Sequence, residues 1–289
     1  MLYQGALSLS PGCDTCESRI PNYPERESMQ AVILAGGLGT RLSEETTIKP
    51  KPMVEVGGRP ILWHIMKIYS AQGYNDFLIC CGYKGYMIKE YFANYYLHVS
   101  DVSFDVRNNS MTVHDNQAEP WKVTLVNTGD DSGTGGRLLY LRDYLEDDTF
   151  FMTYGDGVAN VNLDELLAFH RKQKTKATLT AVQPPGRFGA FKFSDDKCRI
   201  EHFREKPRGD GAYVNGGFFA LQPDVLDYIA HERIFWEAEP LSKLAEDGEL
   251  AAFKHDDFWY AMDTLRDRNV LDEMWNRGEA PWRLWDQDS

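Results

Sequence analysis

The sequence predicts an α/β fold: a doubly wound, mainly parallel, Rossmann-like sheet with small β-rich additions. Three observations carry that prediction. From Met29 to Val182, short apolar runs alternate with stretches of helical periodicity, and such β-α alternation implies a parallel sheet with right-handed crossovers. The runs Ala31-Val32-Ile33-Leu34 and Asp76–Cys81 (DFLICC) are apolar almost throughout, as strands buried on both faces are. Glycine-rich segments follow several of the strands, and the ligands of an open parallel sheet sit just outside the carboxyl ends of its strands.

Taken in order, residues 1–28 differ from the rest. They are rich in Pro, Ser and Gly, show no period, and read as a disordered or extended tail. They lack a basic segment followed by an apolar one, so no secretory signal is expected. Cys13 and Cys16 form a C-x-x-C with no second pair nearby to complete a zinc site. The folded part is expected over 29–289, with a first half at about 29–183 and a second at about 184–289. The predicted helices of the first half are Ile61–Ser70, ended by Gly73, then Gly85–Asn94 and Leu163–Lys172. Its predicted strands after the first two are Val123–Asn127, Thr149–Tyr154 and Ala177–Val182. Val102–Val106 and Met111–His114, split by Asn108-Asn109, read as an inserted polar hairpin. After Pro184 the pattern turns to short strands and glycine turns. Helical stretches near Pro223–His231, Pro240–Asp247 and Thr264–Trp275 close the chain.

Composition narrows the function. The formal charge of −13 argues against nucleic acid or an anionic membrane as partner, since both need a broad basic surface. No apolar run approaches the ~20 residues of a membrane span. The five cysteines, an odd number with two inside a strand, suit reduced thiols and a cytoplasmic location.

The chemistry concentrates after the first strand. Gly36-Gly37-Leu38-Gly39-Thr40-Arg41 lets the backbone approach a ligand and aim its N–H groups at it. Lys49 and Lys51, set among Pro50 and Pro52, add cations. Strand, glycine turn and fixed cations make a site for a polyphosphate. No Gly-x₄-Gly-Lys-Ser/Thr loop occurs, and Leu42 stands where a dinucleotide fingerprint needs its third glycine. A second glycine-rich turn, Thr128 to Arg137, follows another strand and ends in a cation. Asp156, between Gly155 and Gly157 at a further strand end, offers the hard oxygen that Mg²⁺ prefers. His64 lies on an apolar helix face and reads as a packed core residue. His170, His202 and His255 have no partners at metal-ligand spacing. Trp236 is a candidate core tryptophan, and Tyr83 and Lys84 are candidates to line a nucleotide pocket.

With Lys51-Pro52, Gly155-Asp156-Gly157, Glu205-Lys206-Pro207 and Asn215-Gly216-Gly217 added to the first glycine loop, the chain resembles the sugar-1-phosphate nucleotidylyltransferases. The runs KPKPMVEVGGRPILWHIMKIYS, CCGYKGYMIKEYF, TGGR, PPGRFGA and FWYAMDTLRD extend the resemblance in order from Met29 to about Trp285. The resemblance implies a nucleotide half and a sugar-phosphate half, and a reaction in which CTP and glucose 1-phosphate give CDP-glucose and pyrophosphate with Mg²⁺. Another triphosphate (dTTP or UTP), another hexose 1-phosphate, and a non-catalytic nucleotide-sugar-binding regulatory subunit remain as alternatives. A dehydrogenase is disfavoured by the broken fingerprint. The resemblance further implies that Leu34, Ala35, Gly36, Gly37, Leu38, Gly39, Thr40 and Arg41 bind the nucleotide, with Lys51, Ser132, Gly136 and Arg137. It implies catalytic roles for Arg41, Lys51 and Asp156, and Asp156 with Asp263 as metal ligands. Gly189, Glu205, Lys206, Asn215 and Gly216 fall where the sugar phosphate would bind, and a homo-oligomer is expected.

Overall fold

The computed structural model describes residues 29–37, 48–114, 118–184, 190–193, 200–204 and 212–286. The expected tail, with Cys13 and Cys16, lies outside the described residues.

Among the described residues, an eight-stranded mixed sheet forms the centre. Lys122–Asn127, Asp76–Cys81, Gln30–Leu34 and Phe150–Tyr154 run side by side in parallel. Phe219–Leu221 then pairs antiparallel with both Phe150–Tyr154 and Ala177–Val182, and Leu250–His255 lies parallel to Ala177–Val182 on its far edge. Val214–Asn215 pairs with the end of Ala177–Val182, separated from Phe219–Leu221 by Gly216 and Gly217. The mainly parallel sheet expected from the sequence is therefore present, with one antiparallel insertion.

Alternation along the first strand divides the core. Ala31 and Ile33 face a cluster that includes Phe77, Ile79, Phe151, Leu62, Ile65, Leu166 and Trp282. Val32 and Leu34 face the opposite cluster, with Leu78, Met152, Leu138, Trp236 and Leu244. Both faces are covered, which is why these strands carry apolar residues at successive positions. Helix Ile61–Ser70 has every residue buried except Lys67, and Gly73 turns the chain after it at φ +90°. Helix Leu163–Gln173 begins at Asn162, whose side chain accepts from Glu165 N at 3.1 Å, and ends at Lys174 in the left-handed region.

Several elements differ from expectation, among them the strand Leu250–His255 and the short helix Tyr96–Val99, which the local pattern does not predict. The Thr128–Arg137 turn passes into a helix at Thr134–Leu139, because packing against residues 232–236 stabilises a glycine-rich stretch of weak intrinsic propensity. The stretch at Pro223–His231 is a 3₁₀ segment, Pro223–Tyr228, and goes no further. The inserted hairpin, Val102–Asp105 with Ser110–Val113, is amphipathic and not simply polar. Its register pairs Val102 with Val113 and Phe104 with Met111 on one face, and Phe104 and Met111 are exposed.

Candidate active site

The parallel strands end at one edge, and their pairing carries on into the loops. Ala35 N donates to Cys80 O, Gly155 N to Leu34 O, and Thr128 N to Cys81 O, at 2.8–3.0 Å. Three loops thus leave the sheet in register, and a cleft opens between them. Leu34, Ala35, Gly36 and Gly37 line it, as do Ser132, Gly133, Thr134 and Arg137.

Arg137 ties the first two loops together. Its guanidinium donates to Gly36 O at 2.8 Å, to Gly129 O at 2.8 Å and to Thr128 Oγ1 at 2.6 Å, and the residue is buried. Burial lowers its pKa. Three acceptors hold this charge in place, so it fixes the Gly36 carbonyl. A Cβ on Gly36 would fall 2.2 Å from Arg137 Nη1, and only a glycine admits so close an approach.

Lys51 enters from a 3₁₀ turn, Lys51–Met53, preceded by Pro50. Its Nζ donates to Asp156 Oδ2 at 2.6 Å and to Asp263 Oδ1 at 2.9 Å. Burial works to lower the ammonium pKa, but the two carboxylates outweigh it and the net shift is upward. Asp156 follows strand Phe150–Tyr154. Asp263 reaches it through an antiparallel ribbon in which Gly157–Ala159 pairs with Trp259–Ala261, extended by Met262 N donating to Asp156 O at 2.9 Å. Two residues 107 positions apart are thereby held as neighbours.

On the other wall, Asn215 Nδ2 donates to the Tyr154 hydroxyl at 3.1 Å. That hydroxyl also hydrogen-bonds Glu237, which accepts from Thr134 Oγ1 at 2.6 Å. Burial and then the Glu237 carboxylate push the Tyr154 pKa upward, so the phenol stays protonated. Trp259 Nε1 donates to Gly216 O at 2.7 Å.

The cleft therefore brings together Leu34, Ala35, Gly36, Gly37, Lys51, Ser132, Arg137, Asp156, Asn215 and Asp263. Of the predicted residues that the structure describes, two do not line it. Gly136 is pressed against the backbone of Glu232, and its N–H donates to Ile234 O. Gly216 bonds to Thr180 and packs on Val182 within the sheet. Both glycines are packed closely against neighbouring elements. Lys49 pairs with Glu55 at 2.8 Å, so its charge is turned to a neighbouring strand. Tyr83 and Lys84 lie against one another and are absent from the lining among the described residues. Leu38, Gly39, Thr40, Arg41, Gly189, Glu205 and Lys206 fall outside the described residues.

His64 is a core residue, as expected. Its Nε2–H donates to Val56 O at 2.8 Å, its Nδ1 accepts from Trp282 Nε1 at 3.3 Å, and burial lowers its pKa to about 4. His170 bonds Thr178 and Gln222, and His255 meets Phe258 O. Trp236 is core, while Glu237 beside it lines the cleft. Sequence reasoning passed over Tyr154 and Trp259. Tyr154 had a signal available, being the last strand residue before Gly155-Asp156-Gly157.

The donors suit a hard divalent cation. Two carboxylates converge on one point, now met by the Lys51 ammonium. Mg²⁺ is held in this manner, by one or two carboxylates with substrate phosphates and water completing the shell. Among the described residues no cluster of three or more His, Cys, Asp or Glu forms an all-protein metal site, so such a cation would depend on the substrate for part of its shell.

Gly36 and Gly37 at the end of the first strand, a lysine between two carboxylates and a polar opposite wall share one cleft. The chain belongs to the nucleotidyl transferase family, whose model matches residues 30–266. It is 60% identical over 259 residues to the glucose-1-phosphate cytidylyltransferase of Salmonella typhi, covering 89% of this chain and all of that one. Among solved structures, it resembles HddC from Yersinia pseudotuberculosis at a TM-score of 0.63 and 23% identity, over 86% of this chain and 99% of the other. A UDP-glucose pyrophosphorylase complexed with UDP-glucose matches at 0.62 and 15% identity, over 87% of this chain and 100% of the other. At these identities the two structures speak for the fold.

Proposed function

We propose that this protein transfers the cytidylyl group of CTP to α-D-glucose 1-phosphate, giving CDP-glucose and pyrophosphate. The observation that carries the reading is the 60% identity to the Salmonella typhi enzyme along that protein's whole length. Lys51, Asp156 and Asp263 lie together in the cleft, as such a reaction requires.

The chemistry asks little of the protein in proton transfer. A sugar phosphate has a second pKa of ~6, so its oxygen is already anionic at neutral pH. It attacks the α-phosphorus directly, and pyrophosphate leaves in line. The task is to bring two anions together and neutralise charge as it moves. In this reading Gly36 and Gly37 face the triphosphate, and Lys51 meets the reacting phosphates. Asn215 and the Tyr154–Glu237 pair face the sugar side. Nucleotidyl transferases generally use a divalent metal, and here Asp156 and Asp263 would hold Mg²⁺. When bound, that ion supplies charge neutralisation on the phosphate oxygens. Arg41, Leu38, Gly39, Thr40, Gly189, Glu205 and Lys206 complete the two substrate sites in the same reading.

Residues from about 29 to 183 act as the nucleotide half and those from about 184 to 289 as the sugar-phosphate half. Among the described residues no helix is long and apolar enough to cross a membrane, and a cytoplasmic enzyme that binds neither membrane nor nucleic acid is the reading we adopt. A homo-oligomer is proposed as well, supported by the exposed apolar side of the Val102–Val113 hairpin, and sedimentation velocity tests it.

Incubation with Mg²⁺, glucose 1-phosphate and each nucleoside triphosphate in turn, followed by pyrophosphate release, tests the assignment. Release is expected fastest with CTP. No release with any triphosphate would refute the catalytic reading, and faster release with UTP or dTTP would refute the choice of base.

A further inference from the structure

Asp267 lies in the first turn of helix Leu265–Asn276, four residues beyond Asp263, and is only 3% exposed. Its Oδ2 gathers three donors: Thr264 N and Thr264 Oγ1 at 2.8 Å each, and Asp263 N at 3.2 Å. Its Oδ1 accepts from the Tyr260 hydroxyl at 3.2 Å. Thr264 Oγ1 in turn accepts from Asp267 N, which closes a capping box.

A capping box by itself uses only the two Thr264 groups and the Asp267 N–H. The bonds from Asp263 N and from Tyr260 go beyond what the helix start requires. Tyr260 belongs to the strand that pairs with Gly157–Ala159, opposite Val158, two residues from Asp156. One buried carboxylate therefore ties the helix start, the peptide of Asp263 and the ribbon that brings Asp263 to Asp156.

We propose that Asp267 is a positioning residue: by fixing the Asp263 peptide it sets the separation of the Asp156 and Asp263 carboxylates for the divalent cation. The inference rests on the cation reading above. Groups that orient metal-ligating carboxylates from outside the coordination shell matter to affinity because a ligand free to swing must be ordered on binding.

Mn²⁺ titrated into the intact protein holding saturating CDP-glucose, against a protein-free CDP-glucose blank, and followed by loss of the free-ion EPR signal, measures this separately from turnover. Asp263→Ala defines the site and is expected to lose the bound ion. If it binds Mn²⁺ as the wild type does, the cation reading fails and the inference falls with it. With that site established, Asp267→Ala is expected to weaken Mn²⁺ binding about 10–100-fold. Asp267→Asn should bind nearly as wild type, because its amide oxygen can replace Oδ2 while its NH₂ faces Tyr260. Thr264→Ala destabilises the same helix start but keeps the bond from Asp263 N, so it should lower the melting temperature and leave Mn²⁺ affinity unchanged. The inference is overturned by wild-type affinity in Asp267→Ala, by an equal loss in Thr264→Ala, or by failure of Asp267→Asn to rescue. Should Asp267→Ala not fold, Asp267→Glu carries the comparison: it keeps the charge but moves the oxygens outward by a methylene. Affinity must again fall, and wild-type affinity there overturns the inference.

Discussion

Lys51 is a cation between two carboxylates, and its replacement separates two of its effects. Loss of a fixed charge at the transferring phosphate is expected to lower kcat on the order of 10²–10³-fold or more in Lys51→Ala. The same change leaves Asp156 and Asp263 facing each other without their built-in counter-charge. Mg²⁺ should then raise the melting temperature of Lys51→Ala more than that of the wild type, a comparison that thermal shift with and without the ion reads directly. A near-normal pyrophosphate release rate in the variant would end the assignment of Lys51. The raised ammonium pKa means the pairing is intact throughout the neutral range; it is lost only as pH climbs through a folded value above 10.5. His64 makes the opposite case. Its folded pKa, about 4, lies below the ordinary value of 6.5, so the unfolded chain binds the extra proton first. Stability is complete above pH 6.5 and drains away as pH falls towards 4, by on the order of 3 kcal/mol from this group. Protonation would also set an N–H at Nδ1 against the Trp282 N–H. The melting temperature of His64→Gln should therefore fall less than that of the wild type between pH 6.5 and 4, and equal slopes would exclude His64 as the source.

Among the elements, the short helix Thr134–Leu139 shows how packing overrides propensity. Gly133 N donates to Glu232 O, Gly136 N to Ile234 O, and Trp236 N to Thr134 Oγ1, all at 2.9–3.1 Å. A Cβ on Gly136 would lie 1.6 Å from Glu232 O and 2.2 Å from its carbonyl carbon. These are backbone atoms, so the facing segment has to move. Gly136→Ala is expected to destabilise by about 1–3 kcal/mol and to displace Glu237 from Tyr154. A lower melting temperature with a raised KM for the sugar phosphate is the expected outcome, and an unchanged melting temperature would show that the segment yields without strain. The glycines of Thr128–Arg137 were visible in the sequence, but their purpose was not. Four glycines can serve a ligand or a neighbouring backbone equally well, and the partner of Gly136, Glu232, lies far along the chain.

Across the whole molecule, the sheet joins the two halves. Phe219–Leu221, from the second, lies between Phe150–Tyr154 and Ala177–Val182, from the first. Neither half completes its hydrogen bonding or its core alone. Calorimetry of the intact protein should show one cooperative transition, and residues 29–183 expressed alone should lack native near-ultraviolet dichroism. Two resolved transitions, or a folded fragment, would show independent units. Most strands and long helices were legible beforehand because a run buried on both faces, or an apolar stripe at helical spacing, is a local property. Ile61–Ser70, Asp76–Cys81 and Ala177–Val182 have the expected bounds for that reason.

What the sequence determined by itself is the class of fold, the positions of the first strand and its glycine loop, and the chemical identity of the charged residues. Those follow from local pattern and from side-chain chemistry, which need no knowledge of the partner. Only the tertiary structure decided which charges meet. It turned Arg137 onto the carbonyls of Gly36 and Gly129 and sent Lys49 to Glu55. It also carried Asp263 across 107 residues to stand with Asp156 around Lys51. The physical reason is that Coulombic and hydrogen-bond interactions act over a few ångströms in space, and separation along the chain does not measure that distance. A backbone ribbon between Gly157–Ala159 and Trp259–Ala261 does.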